Sequence, residues 1–223
     1  MVKVNLDPSR MPVEAIAGEA AIQAELLSPA RLRARFAEPG ATWEPEAPEP
    51  PLVQGRALLR RAAVLVPLVE RPEGITVLLT LRTEHLTSHA GQISFPGGRT
   101  EELDSSPIET ALRESEEEIG LHRRHVSILG VLPDYVTGSA YRVAPVVALV
   151  KPPFALTADP NEVAEIFEVP LAFLMNGMHH QRHSFDLPEG GGRRSFYAMP
   201  YERFFIWGAT AGMLRNLFHF LRA

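Results

Sequence analysis

Phe95 to Leu121 reads FPGGRTEELDSSPIETALRESEEEIGL, a glycine pair followed by an acid-rich segment that ends in Gly120. Its second half has helical composition. Successive residues of an ideal helix turn by about 100°, so Glu114, Glu117 and Glu118 fall within an arc of about 100° on one face. Ile108, Leu112 and Ile119 gather on the opposite face. Like charges at i,i+4 repel by roughly 0.2–0.5 kcal/mol per exposed pair, unless something positive sits between them. A run such as ESEEE is also the ordinary composition of a solvated helix face. Its neighbours argue for more than that. Gly97 and Gly98 precede it through a loop that carries Glu101, Glu102 and Asp104, and Arg113 stands one turn before Glu117. The glycines alone need imply no more than a tight turn.

Outward from this stretch, Ala62–Val69 (AAVLVPLV) and Ile75–Arg82 (ITVLLTLR) are short apolar, β-branched runs separated by Pro72 and Gly74. They are predicted to be strands, as are Val126–Leu132 and Arg142–Val150. The span 12–36 is rich in helix formers and breaks at Ser28-Pro29, which predicts two short helices. Prolines 39, 45, 48, 50 and 51 among acids mark a linker. We therefore expect an N-terminal helical arm and linker over 1–52 and a catalytic-size domain over 53–223. Asn161–Met175 reads as helical turns broken at Pro170, residues 183–187 and 194–199 as a hairpin around Pro188–Gly192, and Ile206–Leu221 as an amphipathic helix. Strands between helices make the fold α/β or α+β. The arm reads either as a partner-binding element or as packing for the core.

The 223 residues are 45% hydrophobic and 22% charged with a net charge of −5, which offers no general attraction for nucleic acid or an anionic membrane. There is no cysteine, so disulfides, thiolate metal sites and cysteine nucleophiles are excluded. No apolar run reaches the roughly 20 residues of a bilayer span, and the first residues lack a signal core. A soluble, cytoplasmic protein is expected.

A hard divalent cation prefers oxygen ligands and binds one or two carboxylates together with substrate phosphates. Gly98, five residues, Asp104, eight residues, then Arg113-Glu114-Ser115-Glu116-Glu117-Glu118-Ile119-Gly120-Leu121 resembles the signature of the Nudix hydrolases. It departs from that signature in using aspartate as the first acid, in one extra residue before Arg113, and in Ser115 at a usually apolar place. The first two departures are similar to the coenzyme A diphosphatase branch. Upstream, Leu78-Leu79-Thr80-Leu81-Arg82 and His89-Ala90-Gly91-Gln92-Ile93-Ser94-Phe95-Pro96-Gly97-Gly98 resemble the motif that accompanies that branch, with departures at Thr83 and at Thr87, where an arginine is usual.

The resemblance implies an α/β/α sandwich around a mixed sheet and a Mg²⁺- or Mn²⁺-dependent hydrolase of a nucleotide-diphosphate substrate: coenzyme A or its thioesters, or alternatively ADP-ribose or NADH. It implies Glu114, Glu117 and Glu118 as metal ligands, Arg113 as their orienting partner, Glu114, Glu117 and Arg113 as the catalytic residues, and Gly97 and Gly98 as the substrate-binding loop. Glu162 or Glu165 would supply a further acid. Arg82, His89, Gln92 and Ser94 would contact the substrate, although His89 reads equally as a satisfied loop histidine. Phe95 is expected beneath the loop. A non-catalytic nucleotide sensor is the reading from another class, and a homodimer is compatible with the chain. His179, His180 and His183 have only superficial metal spacing. Arg193-Arg194 lacks the residues of a phosphate-binding loop. Trp207, Phe204, Phe205, Phe218 and Phe220 read as core or interface residues.

Overall fold

The protein is described by a computed structural model that covers residues 7–38, 42–46, 59–86, 89–186 and 192–223. Thr87, most of the Pro-rich linker and the tip of the 183–199 hairpin lie outside the described residues.

Three long strands carry the architecture: β2 (Arg60–Arg71), β3 (Gly74–Arg82) and β8 (Tyr141–Val150), with β1, α1 and the strands between them defined below. β2 runs parallel to the whole of β8, from Arg60↔Tyr141 to Val69↔Val150, while β3 turns back antiparallel from β2. Each is almost continuously apolar because both of its faces are covered. Along β2, Leu65 and Val69 face one core, whereas Val66 and Leu68 face the other. β6 (Val126–Val131) and β7 (Tyr135–Val136) extend the sheet beyond β8, and β9 (Val163–Pro170) pairs with the outer edge of β3.

β2 and β3 pair only near their shared turn, from Leu68↔Val77 to Arg71↔Gly74, and then splay apart. Two short strands fill the wedge. β4 (Ile93–Ser94) pairs with β3, and β5 (Gly97–Arg99) pairs with β2. The amides of Leu65 and Arg82 donate to the carbonyls of Pro96 and Gln92, at 2.9 and 3.0 Å, and close the gap. The glycine pair is thus built into the sheet.

α2 (Pro107–Ile119) lies over one face, burying Ala111 and Ile119. Ser106 caps its start by accepting from the Glu109 amide, and Gly120, with φ 67°, ends it in a left-handed residue. Ser115, at the usually apolar place, is fully buried and satisfied by donating to the Ala111 carbonyl at 2.7 Å. The other face is covered by α4 (Gly208–Arg222) and by a four-stranded antiparallel sheet of β1 (Val13–Ile16), β10 (Gln181–Asp186), β11 (Arg193–Tyr201) and β12 (Phe204–Trp207). Two helices are short: α1 (Pro29–Ala37) and α3 (Leu171–Leu174). The result is the expected mixed sheet between helical layers.

Three predicted elements change. Val13–Ile16 is a strand instead of a helix, because it completes the ladder of β10. Val163–Pro170 is a strand although its alanine and glutamates favour helix, because β3 offers an open edge. The run from Ile206 begins as β12 and becomes helical at Gly208. Phe204 and Phe218 are core residues.

Arg215 joins the early residues to α4. It is 3% exposed, binds both carboxylate oxygens of Glu19 at 2.8–3.0 Å, reaches Glu46 at 2.7 Å, and donates to His180 Nδ1 at 3.0 Å. His219 adds a bond to Glu46, and Arg35 donates to the Phe220 carbonyl. His180 is fully buried, with Nε2 donating to the Leu174 carbonyl at 2.7 Å, so it is a neutral ring that accepts on its other nitrogen. His183 donates to the Met11 carbonyl and His179 to the Phe173 carbonyl, while Arg193 pairs with Glu14.

Truncating Arg215 would leave the partly buried Glu19 carboxylate without its cation and Glu46 with His219 alone, and Arg215→Ala is expected to lower unfolding free energy by about 3 kcal/mol or more in urea titration. Acid should act through the same network. Burial pushes His180 down to about 4 from 6.5, so the unfolded chain takes up that proton first. The Arg215 hydrogen bonds hold Glu19 down at about 2 from 4.5. The contribution of this network to stability should therefore fall as pH drops from about 6.5 toward 4, and further between 4.5 and 2. His180→Gln, which keeps one donor and one acceptor but does not titrate, should flatten the first part of the curve; an unchanged slope there would refute the assignment.

Candidate active site

The site forms where α2 passes over the glycine pair. Glu118 is held by both of its ends. Its side chain is only 4% exposed, and Oε2 accepts from the Gly97 amide at 3.0 Å. Its carbonyl, one of the last in α2, accepts from the Asp159 amide at 2.8 Å, as the Ile119 carbonyl does from Thr157. The otherwise unpaired carbonyls of the helix end thus capture the 157–162 loop. Glu162 and Val163 donate back to the Asp159 carbonyl, and the Glu162 carbonyl accepts from the Thr83 amide. This main-chain network carries Glu162 to the carboxylate cluster from more than 40 residues away.

Gly98 sits against Glu114. A Cβ at Gly98 would lie 2.5–2.6 Å from the Glu114 carboxylate. Gly97 sits against backbone: with φ +152°, its Cβ would meet the Ala63 carbonyl at 2.4 Å and Val64 Cα at 2.6 Å. The two glycines therefore do different work, one admitting a carboxylate and the other a strand.

Arg113 is the hub of the outer side. It binds Asp104 through Nε and Nη2 at 2.9–3.0 Å, Glu114 and Glu117 through Nη1 at 3.0 Å, and the Arg99 carbonyl at 3.1 Å. Asp104 in turn accepts from Thr110 and from the Glu101 amide. These bonds hold the Asp104 carboxyl well below its ordinary range and push the Arg113 guanidinium above its own. The spacing argument found the Arg113–Glu117 pair. It assigned no role to Asp104, whose only sequence signal was its place in the motif.

Burial pushes Glu118 up to about 7, with Glu162 and Glu114 adding to the shift and the Gly97 amide and Arg82 opposing it. Burial also raises Glu114, helped by Glu117 and Glu162 and opposed by Arg113. Glu117 is 59% exposed and points outward to Arg113, and Glu162 is 46% exposed. Glu165, the other candidate acid, is instead paired with Arg203. Among the described residues no three of these groups converge as a closed cation cage. The donor chemistry nonetheless fits a hard divalent cation: carboxylate oxygens crowded together, two of them displaced toward neutrality in a way that added positive charge relieves.

Of the expected substrate contacts, Arg82 lies nearest the acids, 3.5 Å from Glu118 and 3.8 Å from Glu162. His89, at φ 57°, bonds to Gln92 at 2.8 Å, and Ser94 meets Thr80 at 3.1 Å. These three belong to the wedge but do not touch the carboxylates. Phe95 is buried. A cavity of about 350 Å³ opens beyond the end of α2, between Gly120, His122, Arg124, His125 and Phe154; no candidate residue lines it.

The sequence profile of the NUDIX domain matches residues 59–186. The chain belongs to the Nudix family. An uncharacterized Nudix hydrolase, NudL, of Escherichia coli K12 is 42% identical over 159 residues, which is 71% of this chain and 81% of that one. NudL of the O7:K1 strain IAI39 gives the same figures. Among solved structures, an Ap4A hydrolase binary complex from C. elegans overlaps 49% of this chain and 80% of its own, with 18% identity and a TM-score of 0.44. As a Nudix hydrolase the protein acts on diphosphate bonds, and hydrolases of this family generally use divalent metals. Among the described residues no helix is long and apolar enough to cross a membrane.

The adjacent glycines yield opposite expectations for one added methyl group. Gly97→Ala should destabilise the fold by about 3 kcal/mol, seen as a drop in Tm of roughly 6–12 °C, because backbone must move. Gly98→Ala should leave Tm within about 3 °C, since only a side-chain end must yield. It should lower kcat on the order of 100-fold by displacing the Glu114 carboxylate. Equal losses of Tm in the two variants would contradict this division.

Proposed function

We propose that this Nudix hydrolase cleaves the diphosphate of coenzyme A or its thioesters in the cytoplasm, giving 4'-phosphopantetheine or its acyl form and adenosine 3',5'-bisphosphate. The observation that carries the reading is continuity. The segment resembling the coenzyme A diphosphatase motif, His89 to Gly98, is the wedge that ends against Glu118 and Glu114. A substrate held by that segment would present its diphosphate to the acids.

Glu114, Glu118 and Glu162, with Glu117 at the rim, would hold Mg²⁺ or Mn²⁺. The cation would supply neutralising charge for the diphosphate oxygens. Arg113, itself immobilised by Asp104, aims Glu114 and Glu117. Glu114, raised toward neutrality and kept clear by Gly98, is suited to take a proton at its carboxylate. The water oxygen bonds to phosphorus, its proton passes to Glu114, and the bridging oxygen leaves with the electron pair of the broken P–O bond on the departing phosphate monoester. Arg82 supplies a charge-assisted contact to a phosphate. His89, Gln92 and Ser94 supply hydrogen bonds from the wedge, whose glycines let the backbone come close.

A second reading, ADP-ribose or NADH as substrate, rests on Thr87 at the position where the motif has arginine. Product masses from a panel of coenzyme A, acetyl-coenzyme A, ADP-ribose and NADH with Mg²⁺ and with Mn²⁺ separate the two. Phosphopantetheine release at a kcat/KM at least about tenfold above the others is expected, a difference of about 1.4 kcal/mol in transition-state binding. Rapid ADP-ribose cleavage without phosphopantetheine would reverse the assignment. Glu118→Gln should abolish turnover in either case while keeping or raising Tm of the metal-free protein, because it removes a buried charge and keeps an acceptor for the Gly97 amide.

A further inference from the structure

The two arginines of the site are held in contrasting ways. Arg113 makes five hydrogen bonds of 2.9–3.1 Å to Asp104, Glu114, Glu117 and the Arg99 carbonyl. Arg82 makes none of that quality. Its Nη1 is 3.5 Å from Glu118 Oε1 and its Nη2 is 3.8 Å from Glu162 Oε2, and its Nε is buried without a hydrogen-bond partner. A guanidinium has five donors in a fixed fork, and bonds beyond about 3.2 Å contribute charge but little directional strength. The Arg82 backbone, by contrast, is fixed: its amide donates to the Gln92 carbonyl at 3.0 Å, and it sits opposite Val163 in the β3–β9 ladder. The side chain can therefore turn while its root stays in place.

The guanidinium bridges Glu118 and Glu162, two of the acids to which we assign the cation. A cation taken up by those acids would compete with the guanidinium for the same carboxylate oxygens. We propose that Arg82 is the resident counter-charge of the metal-free site, which an arriving divalent cation displaces, releasing the guanidinium toward the anionic substrate. The inference rests on the metal reading above and adds an order of events to it. Metal loading frees the phosphate-reading arginine, so substrate recognition depends on the cation twice, once directly and once through Arg82. Weak ion pairs and an unpartnered Nε make the displacement cheap, whereas Arg113, bonded on all sides, stays. Arg82 is in this respect a positioning residue, and its effect is visible without any substrate.

The test is Mn²⁺ binding to the metal-stripped full chain, measured by calorimetry and by electron paramagnetic resonance of free Mn²⁺ in the absence of nucleotide. Arg82→Ala, which removes the competitor, is expected to bind Mn²⁺ about five- to tenfold more tightly than wild type. Arg82→Lys, which keeps a cation, should fall close to wild type. The gain in Tm on adding Mn²⁺ should likewise be larger for Arg82→Ala, from a lower metal-free value. Arg82→Gln, closer in volume to arginine, repeats the comparison if the alanine variant is poorly folded. Equal or weaker Mn²⁺ binding by the neutral variants, alongside clear binding by wild type, would overturn the displacement and leave the metal site standing. Absence of Mn²⁺ uptake by wild type would overturn both.

Discussion

The bond between the Gly97 amide and the Glu118 carboxylate ties the helix to the sheet where β2 and β3 part. Glu118 can make it only because β2 and β3 separate and β5 enters between them, and because Gly97 can approach Ala63 and Val64 without a side chain. The same residue anchors the 157–162 loop through its carbonyl, and with it Glu162. Burying a carboxylate costs free energy unless it is paired. Here the cost appears as a Glu118 group pushed up to about 7. The site is consequently a place where folding leaves positive charge wanting, and binding a cation would relieve it.

Two arginines answer that demand in different degrees. Arg113 forms a closed network with Asp104 that fixes the outer carboxylates before any ligand arrives, the preorganisation that electrostatic catalysis relies on. Arg82 neutralises the inner pair from a distance. Away from the site, the Arg215 cluster joins residues 19 and 46 to α4, and Thr210 near the start of α4 donates to the Ile93 carbonyl at 2.9 Å. The helix that receives the early residues thus also supports the wedge.

Much of this was legible in the sequence. The largely apolar, β-branched runs at 62–69, 75–82 and 142–150 mark strands. The amphipathic pattern and the closing Gly120 mark α2. The arc argument placed Glu114, Glu117 and Glu118 together but could not show that Glu114 and Glu118 turn inward onto the glycines while Glu117 turns out; that depends on where β5 lies. β1 and β9 were misread because their helix-favouring residues were overruled by open strand edges elsewhere in the chain. Glu162 and Glu165 were indistinguishable by composition. The capture of Asp159 by the end of α2 separates them, leaving one beside Glu118 and the other on Arg203. Arg82 was expected to contact the substrate, but its position between two acids is a property of the folded site.

The most direct single measurement is anomalous diffraction from crystals grown with Mn²⁺. The expected result is a Mn²⁺ peak among Glu114, Glu118 and Glu162 with the Arg82 guanidinium moved out of the gap. A fully formed site with no peak there, or with Mn²⁺ bound elsewhere and Arg82 still between Glu118 and Glu162, would contradict the account.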